Sequence, residues 1–504
     1  MDISRQIVKA EVFFRTESNF KKGIWLLLLL FVVIRCYHIN SPVLDRHSWN
    51  QVSAASSAMN IYKDPSTFFR PDSNAFAGNS VDSTLGQEFP VFMGMIAIGY
   101  KLIAPEIWVA RSIAILIALL GWIYLLKLLL QTESRFTSLF VLFLYTINSH
   151  NWFFDRAINS DTGMVTFMLV AFYYFLQYLE DRSAKNTLLL FLGTMLAGLF
   201  KPYGLQIGVS FLYILFARKQ LKKLLDIRLI AIGILVWAAN LAWLLHTEYN
   251  LNSAISIGHN LGFNLNDLLS VKFFYVMSQR FFDQITTQLL MFFCVFAIFS
   301  KKIKNDVFMS LLVGNLFYLL LITHGNMEHN YYQLPFTPAL ITFSGLGFLH
   351  WLRSPPKTLS PKLKLALALF IMVGYVGYSG KKTWNHFRMA MGPKQIGDRI
   401  KEMNLPDDTR LITLENSGTR YHETLYYADK KGWVRRSISD GELMKLRAKG
   451  AEIVTLHYEQ NYFTDPKKMG PINRHLDPIW VSYDCKDTYS RPCMLGIYRF
   501  KEKK

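Results

Sequence analysis

Cysteine is scarce in this 504-residue chain, with four in all, and acidic side chains are outnumbered, 36 Asp and Glu against 55 Lys and Arg. There is no Gly-rich phosphate loop, no G-x-S-x-G elbow and no Cys-x-x-Cys pair. Chemistry on a soluble nucleotide therefore has no foothold in the sequence. Internal repeats and low-complexity segments are also missing. Cys36 and Cys294 lie in apolar runs and read as inert core residues, whereas Cys485 and Cys493 bracket a short polar stretch between strand-like segments. A disulfide across that hairpin is one of two open readings if the tail lies outside the cytoplasm.

What the chain does have is length of apolar sequence: 51% of its residues are hydrophobic and 15% aromatic. A run of about 20 apolar residues spans the hydrocarbon core of a bilayer. Eleven such candidates occur, at 23–40, 107–130, 136–149, 162–179, 187–200, 203–217, 229–246, 284–300, 307–323, 332–351 and 364–379. Several are short, so an α-helical membrane protein of about 11–13 spans is expected. The first run follows a polar stretch without a small-residue cleavage site and reads as an uncleaved span.

With a cytoplasmic N-terminus, Lys21, Lys22, Arg135, Arg182, Lys185, Arg218, Lys219, Lys222, Lys223, Arg228, Lys301, Lys302, Lys304, Arg353, Lys357, Lys362 and Lys364 all fall inside. That is the side the positive-inside rule demands. The loop 41–105, with five acidic and four basic residues, falls outside without such an excess. The net charge of +19 is then explained by anionic headgroups, and no nucleic-acid partner is expected.

The organisation reads as a membrane region, 1–384, including the outer loop 41–105, followed by a soluble extracytoplasmic α/β domain, 385–504. Within the loop, 49–62 reads as a helix, 89–102 as a helix lying in the interface, and the Pro/Asp/Asn/Gly-rich 65–86 as a mobile segment or ordered flap. In the tail, a helical pattern over 395–404 and helices near 420–428 and 440–448 alternate with strands near 409–414, 452–456, 479–483 and 494–500.

Four clusters can carry chemistry. Asp45 follows the first span; it either caps the helix starting near Ser48 or acts on a hydroxyl as a base. In 151–161, Arg156 suits a phosphate, Asp155 can neutralise Arg156, and Asp161 can cap the next span. Lys201, before Pro202, can snorkel to headgroups or bind a lipid-linked phosphate. The block 324–335 holds His324, Glu328, His329, Tyr331 and Tyr332. Its spacing is not that of a zinc-protease helix, so the sequence assigns no cofactor, and a divalent metal stays an open alternative.

Taken in order, the early Asp45, the pair Arg156-x₄-Asp161, Lys201 before a turn and the block His329 to Pro335 resemble the C-type (GT-C fold) glycosyltransferases. The resemblance is to the protein O-mannosyltransferase and lipid A aminoarabinose transferase superfamily and covers nearly the whole chain. The tail segment 425–433 is similar to the outer domain of its bacterial members. The resemblance implies an inverting enzyme of the bacterial inner membrane that takes sugar from a polyprenyl-phosphate donor. Its acceptor is a lipid, glycan or protein on the outer side.

By the same resemblance Asp45 is the catalytic carboxylate and Asp161 the second acidic residue. Arg156, Lys201, His329, Tyr331 and Tyr332 then surround the donor phosphate, and Glu88 matches a glutamate ending the first loop. His324 joins this site. The chain departs from the pattern at Arg46, where an acidic or polar residue is usual, and at Phe89, where the aminoarabinose transferases carry lysine. Arg46 or Lys201 then supplies the phosphate contact missing at Phe89. A transporter or flippase of lipid-linked glycans is the competing expectation, but it favours ionisable groups buried mid-span.

Overall fold

The computed structural model describes residues 3–84, 86, 88–251, 263–354, 360–415, 422–459, 466–486 and 492–502. The chain divides into two compact units. One comprises Met1–Ile39, Arg111–Trp243 and Ile257–Asn385; the other comprises Asn40–Ala110, Leu244–Ser256 and His386–Lys504. The outer loop read from the sequence as part of the membrane region thus clusters with the tail.

The first unit is helical, and each of the eleven apolar runs falls on a helix. Among the described residues, four helices are long and apolar enough to cross a membrane: Ile107–Thr132, Asp161–Glu180, Ile227–Asn250 and Pro361–His386. A bent pair, Val271–Ile285 and Gln288–Phe299, meets the test jointly across a 104° break. The Thr287 side chain caps the second member by accepting from the Leu290 N–H. Other runs form shorter apolar helices, such as Arg135–Thr146 and Asp306–Leu321. Asp161–Glu180, at 20 residues, reaches about 30 Å and is buried on almost every side. Helix Ala184–Phe200 starts under the Ser183 cap and stops at Lys201, because Pro202 has no N–H to continue the ladder.

A buried ion pair ties this unit together. Arg35 lies on the first apolar helix, Glu17–Cys36, with no solvent exposure. Its guanidinium donates twice to Asp155 Oδ2, at 2.8 and 2.6 Å, and once to the Thr146 carbonyl at 3.1 Å. Asp155 therefore neutralises Arg35 rather than Arg156, which corrects the sequence expectation. Arg111, also fully buried, donates to the His38 and Ile39 carbonyls just past that helix.

In the second unit, five strands among the described residues form one sheet: β1 Arg410–Glu415, β2 Lys431–Arg435, β3 Ala451–Glu459, β4 Leu476–Ser482 and β5 Cys493–Phe500. The order is β2-β1-β3-β5-β4, with β2, β1 and β3 parallel and β5 antiparallel to both β3 and β4. Alternating apolar residues bury both faces. Ile412, Leu414, Val454 and Leu456 pack on one side with Trp433, while Leu411, Ile453, Leu495 and Ile497 pack on the other with Ile396 and Leu425. Cys485 and Cys493 are disulfide-bonded, with Cα atoms 5.2 Å apart. Of the expected helices, 440–448 is observed as Asp440–Ala448, whereas part of 420–428 lies outside the described residues.

Of the two alternatives for 65–86, the described residues 65–84 form the ordered flap. Ala75 bridges Gly432 in parallel, the Trp433 indole donates to the Ser80 carbonyl at 2.7 Å, and Phe76 packs on Trp433 with centroids 4.8 Å apart. Lys431 pairs with Asp72. Gly432 is demanded by this crowding, because a Cβ there would collide with the Leu411 carbonyl on β1.

Candidate active site

Asp45 sits in a short connection that leads into helix Ser48–Lys63. The N-cap position of that helix belongs to His47, in the left-handed region at φ 57°, and the helix starts without a side-chain cap. The capping alternative for Asp45 therefore does not apply. Its carboxylate, 3% exposed, instead accepts from Gln51 Nε2 at 2.6 Å, and the same amide donates to the Arg46 carbonyl at 3.0 Å. Gln51 lies on the first turn of that helix, six residues after Asp45. Arg46 is exposed, and its backbone N–H donates to the His386 carbonyl at 3.0 Å. Glu88 is half-buried ahead of helix Val91–Leu102.

The helical unit brings a second set together. Asp161 opens helix Asp161–Glu180, with Ser160 at the N-cap position, and is fully buried. Lys201 Nζ lies 3.4 Å from Asp161 Oδ2, and 5.7 and 5.6 Å from the ring centroids of Tyr331 and Tyr332. Its ammonium thus points into the protein, at 8% exposure, rather than snorkelling outward. The His329 ring stacks on Tyr331 with centroids 5.1 Å apart, and the Tyr203 and Tyr332 hydroxyls are 3.1 Å apart. Arg156 is buried and donates to the Tyr37 carbonyl at 3.2 Å.

His324 takes a different part. Its Nδ1 lies 3.0 Å from Asp267 and its Nε2 3.3 Å from Glu328, whose other oxygen is 3.7 Å from His329 Nε2. Among the described residues, no group of three or more His, Cys, Asp and Glu side chains is arranged to hold a metal ion.

Sequence reasoning missed Arg280. It is buried on a wide π-type turn, Arg280–Ile285, and donates to Gln333 Oε1 at 2.8 Å and the Met327 carbonyl at 2.5 Å. Turns of this kind recur at functional sites. The available signal was an arginine just ahead of the apolar run 284–300. Two buried glutamates in the sheet unit were also missed. Glu415 ends β1 and accepts from Thr424 Oγ1 at 2.7 Å, while Glu423 accepts from Ser48 Oγ at 2.7 Å.

Burial and the neighbouring Glu423 push the Glu415 carboxyl up to about 8, and burial pushes Glu423 up to about 7. Both groups hold protons more tightly folded than unfolded. The stability they contribute is therefore complete below their ordinary value of 4.5 and is lost as the pH rises through about 7 and 8. Glu415→Gln is expected to raise the melting temperature at pH 8.5 by a few degrees, roughly 3–8 °C, with little change at pH 4.5. Differential scanning fluorimetry at the two pH values checks this; an equal shift at both would refute it.

Residues 87–243 match the model of the dolichyl-phosphate-mannose-protein mannosyltransferase family. No curated protein sequence matches the chain. Among solved structures, ArnT from Cupriavidus metallidurans is similar at a TM-score of 0.63 and 11% identity, over 94% of this chain and 98% of that one. The same protein bound to undecaprenyl phosphate gives 0.61, at 11% identity over 94% and 97%. The archaeal oligosaccharyltransferase AglB from Archaeoglobus fulgidus, in complex with an inhibitory peptide and a dolichol-phosphate, gives 0.53 at 12% identity, over 96% and 75%. With its apolar helices and its C-terminal sheet, the chain is an integral membrane protein of the GT-C glycosyltransferase fold.

Proposed function

We propose that this protein moves a sugar from a polyprenyl-phosphate donor, with inversion, to a lipid, glycan or protein acceptor. The reaction is assigned to the outer face of the bacterial cytoplasmic membrane. The observation that carries the reading is the fold held in common, over 94% of the chain, with a structure that binds undecaprenyl phosphate. In this reading Asp45 accepts the proton of the acceptor hydroxyl as the new glycosidic bond forms. Lys201 and Arg156 stabilise the phosphate that departs with the polyprenyl chain, alongside His329, Tyr331 and Tyr332. Asp161 holds the Lys201 ammonium in place, 3.4 Å away.

Purified protein incubated with polyprenyl-phosphate sugars and candidate acceptors should release polyprenyl phosphate. A flippase would move the donor across the bilayer without cleaving it, and that result would overturn the reading. Lys201→Gln is expected to raise the donor KM about 10- to 100-fold, the worth of a charge-assisted hydrogen bond, with Lys201→Arg closer to wild type. An unchanged donor KM in Lys201→Gln, measured by initial rates, removes Lys201 from phosphate binding.

A further inference from the structure

Three backbone or side-chain groups flanking Asp45 are held by the tail. The Val43 N–H donates to the Tyr427 hydroxyl at 2.6 Å, the Arg46 N–H donates to the His386 carbonyl at 3.0 Å, and Ser48 Oγ donates to Glu423 Oε1 at 2.7 Å. Glu423 and Tyr427 lie on one short helix, Glu423–Ala428, and both are buried, at 3% and 6% exposure. Lys63, at the far end of the helix that follows Asp45, pairs with Asp429 just after it, at 2.7 Å. The 43–48 connection has no regular backbone ladder of its own, so these bonds to the tail, together with the Gln51 amide on the carboxylate itself, hold Asp45 in its position.

The geometry points to Glu423 and Tyr427 as positioning residues for Asp45, which makes the C-terminal sheet domain a working part of the transferase and not an appendage. This inference rests on the catalytic reading of Asp45 given above. A carboxyl group buried at the start of a short helix is costly to keep without a hydrogen-bond partner. Its bond to Ser48, three residues beyond Asp45, gives it a use. Displacing a reacting group by about 1 Å can cost about 100-fold in rate, so small shifts of this connection act on turnover.

The test measures kcat and donor KM for Glu423→Ala, Glu423→Gln, Tyr427→Phe and Ser48→Ala in the full-length protein, with Asp45→Asn as reference. Glu423→Ala and Tyr427→Phe are expected to lower kcat about 10- to 100-fold while donor KM stays within about twofold. Glu423→Gln keeps an oxygen to accept from Ser48 and should recover most of the loss. Ser48→Ala removes the same bond from the other side and carries the test if a Glu423 variant fails to fold. Its effect should not add to that of Glu423→Ala in the double variant. Wild-type kcat in Glu423→Ala or Ser48→Ala, or fully additive losses, overturns the positioning role while leaving Asp45 in place. Full activity in Asp45→Asn instead overturns the reading beneath it.

Discussion

Asp45→Asn is expected to cut sugar transfer by about a thousandfold while the protein still inserts and folds. The substitution changes charge and basicity at nearly constant shape, and its remaining oxygen can still accept from Gln51 Nε2 as Asp45 does at 2.6 Å. Removing a positioned base typically costs about 10²–10⁴ in rate. Melting temperature should stay within a few degrees of wild type, because no helix cap is lost: His47 holds that position. Initial rates of polyprenyl-phosphate release, measured beside the thermal melt, decide the matter. Retention of more than a tenth of wild-type activity would exclude Asp45 as the base.

The second large effect concerns stability. Asp155→Leu leaves Arg35 buried without its carboxylate, and breaking a buried pair from one side costs about 3–5 kcal/mol. Both partners are shielded, at 0% and 4% side-chain exposure, so water cannot take over the charge. The Arg35 guanidinium also lies 3.7 Å over the Phe31 ring, which fixes it where the carboxylate was. Asp155→Leu should therefore be recovered in low yield and melt far below wild type. The double replacement Arg35→Met with Asp155→Leu removes both charges and should regain most of that loss. Size-exclusion profiles and melting temperatures in detergent check the pair. A double variant no better than the single one would show that the two residues do not act on each other.

Much of the architecture could be read from the residues, because hydropathy and positional pattern are local. The apolar runs became helices, and the tail strands near 409–414, 452–456 and 494–500 were found within a few residues as β1, β3 and β5. Strand β2 was overlooked: it has only five residues, Lys431–Arg435, with a glycine second and charges at both ends. Its identity comes from its pairing with β1, whose registered partners lie 21 residues upstream, which no local pattern announces.

The site divides along the same line. Asp161, Lys201, Tyr331 and Tyr332 were named from composition and order, and the structure gathers them around one ammonium. The partner of Asp155 was misread because the adjacent Arg156 was the obvious choice, whereas Arg35 lies 120 residues away on a helix whose hydropathy hides its charge. Glu423 was invisible for a similar reason, since its bond to Ser48 joins residues 375 apart. Burial converts such distant pairs into strong constraints, and sequence spacing carries no trace of them.

The strapping of Ala75 onto Gly432 bears on how the chain is made. At about 5–20 residues per second, some 20–70 s of synthesis separate the emergence of these two segments. Throughout that interval the Phe76 side chain waits without Trp433, and the stretch must be kept from premature association. Both segments must also be delivered to the same side of the bilayer before the sheet edge can close. Truncation of the last hundred residues would therefore leave an unfinished flap near the N-terminus, and quality-control proteases would be expected to cut there first.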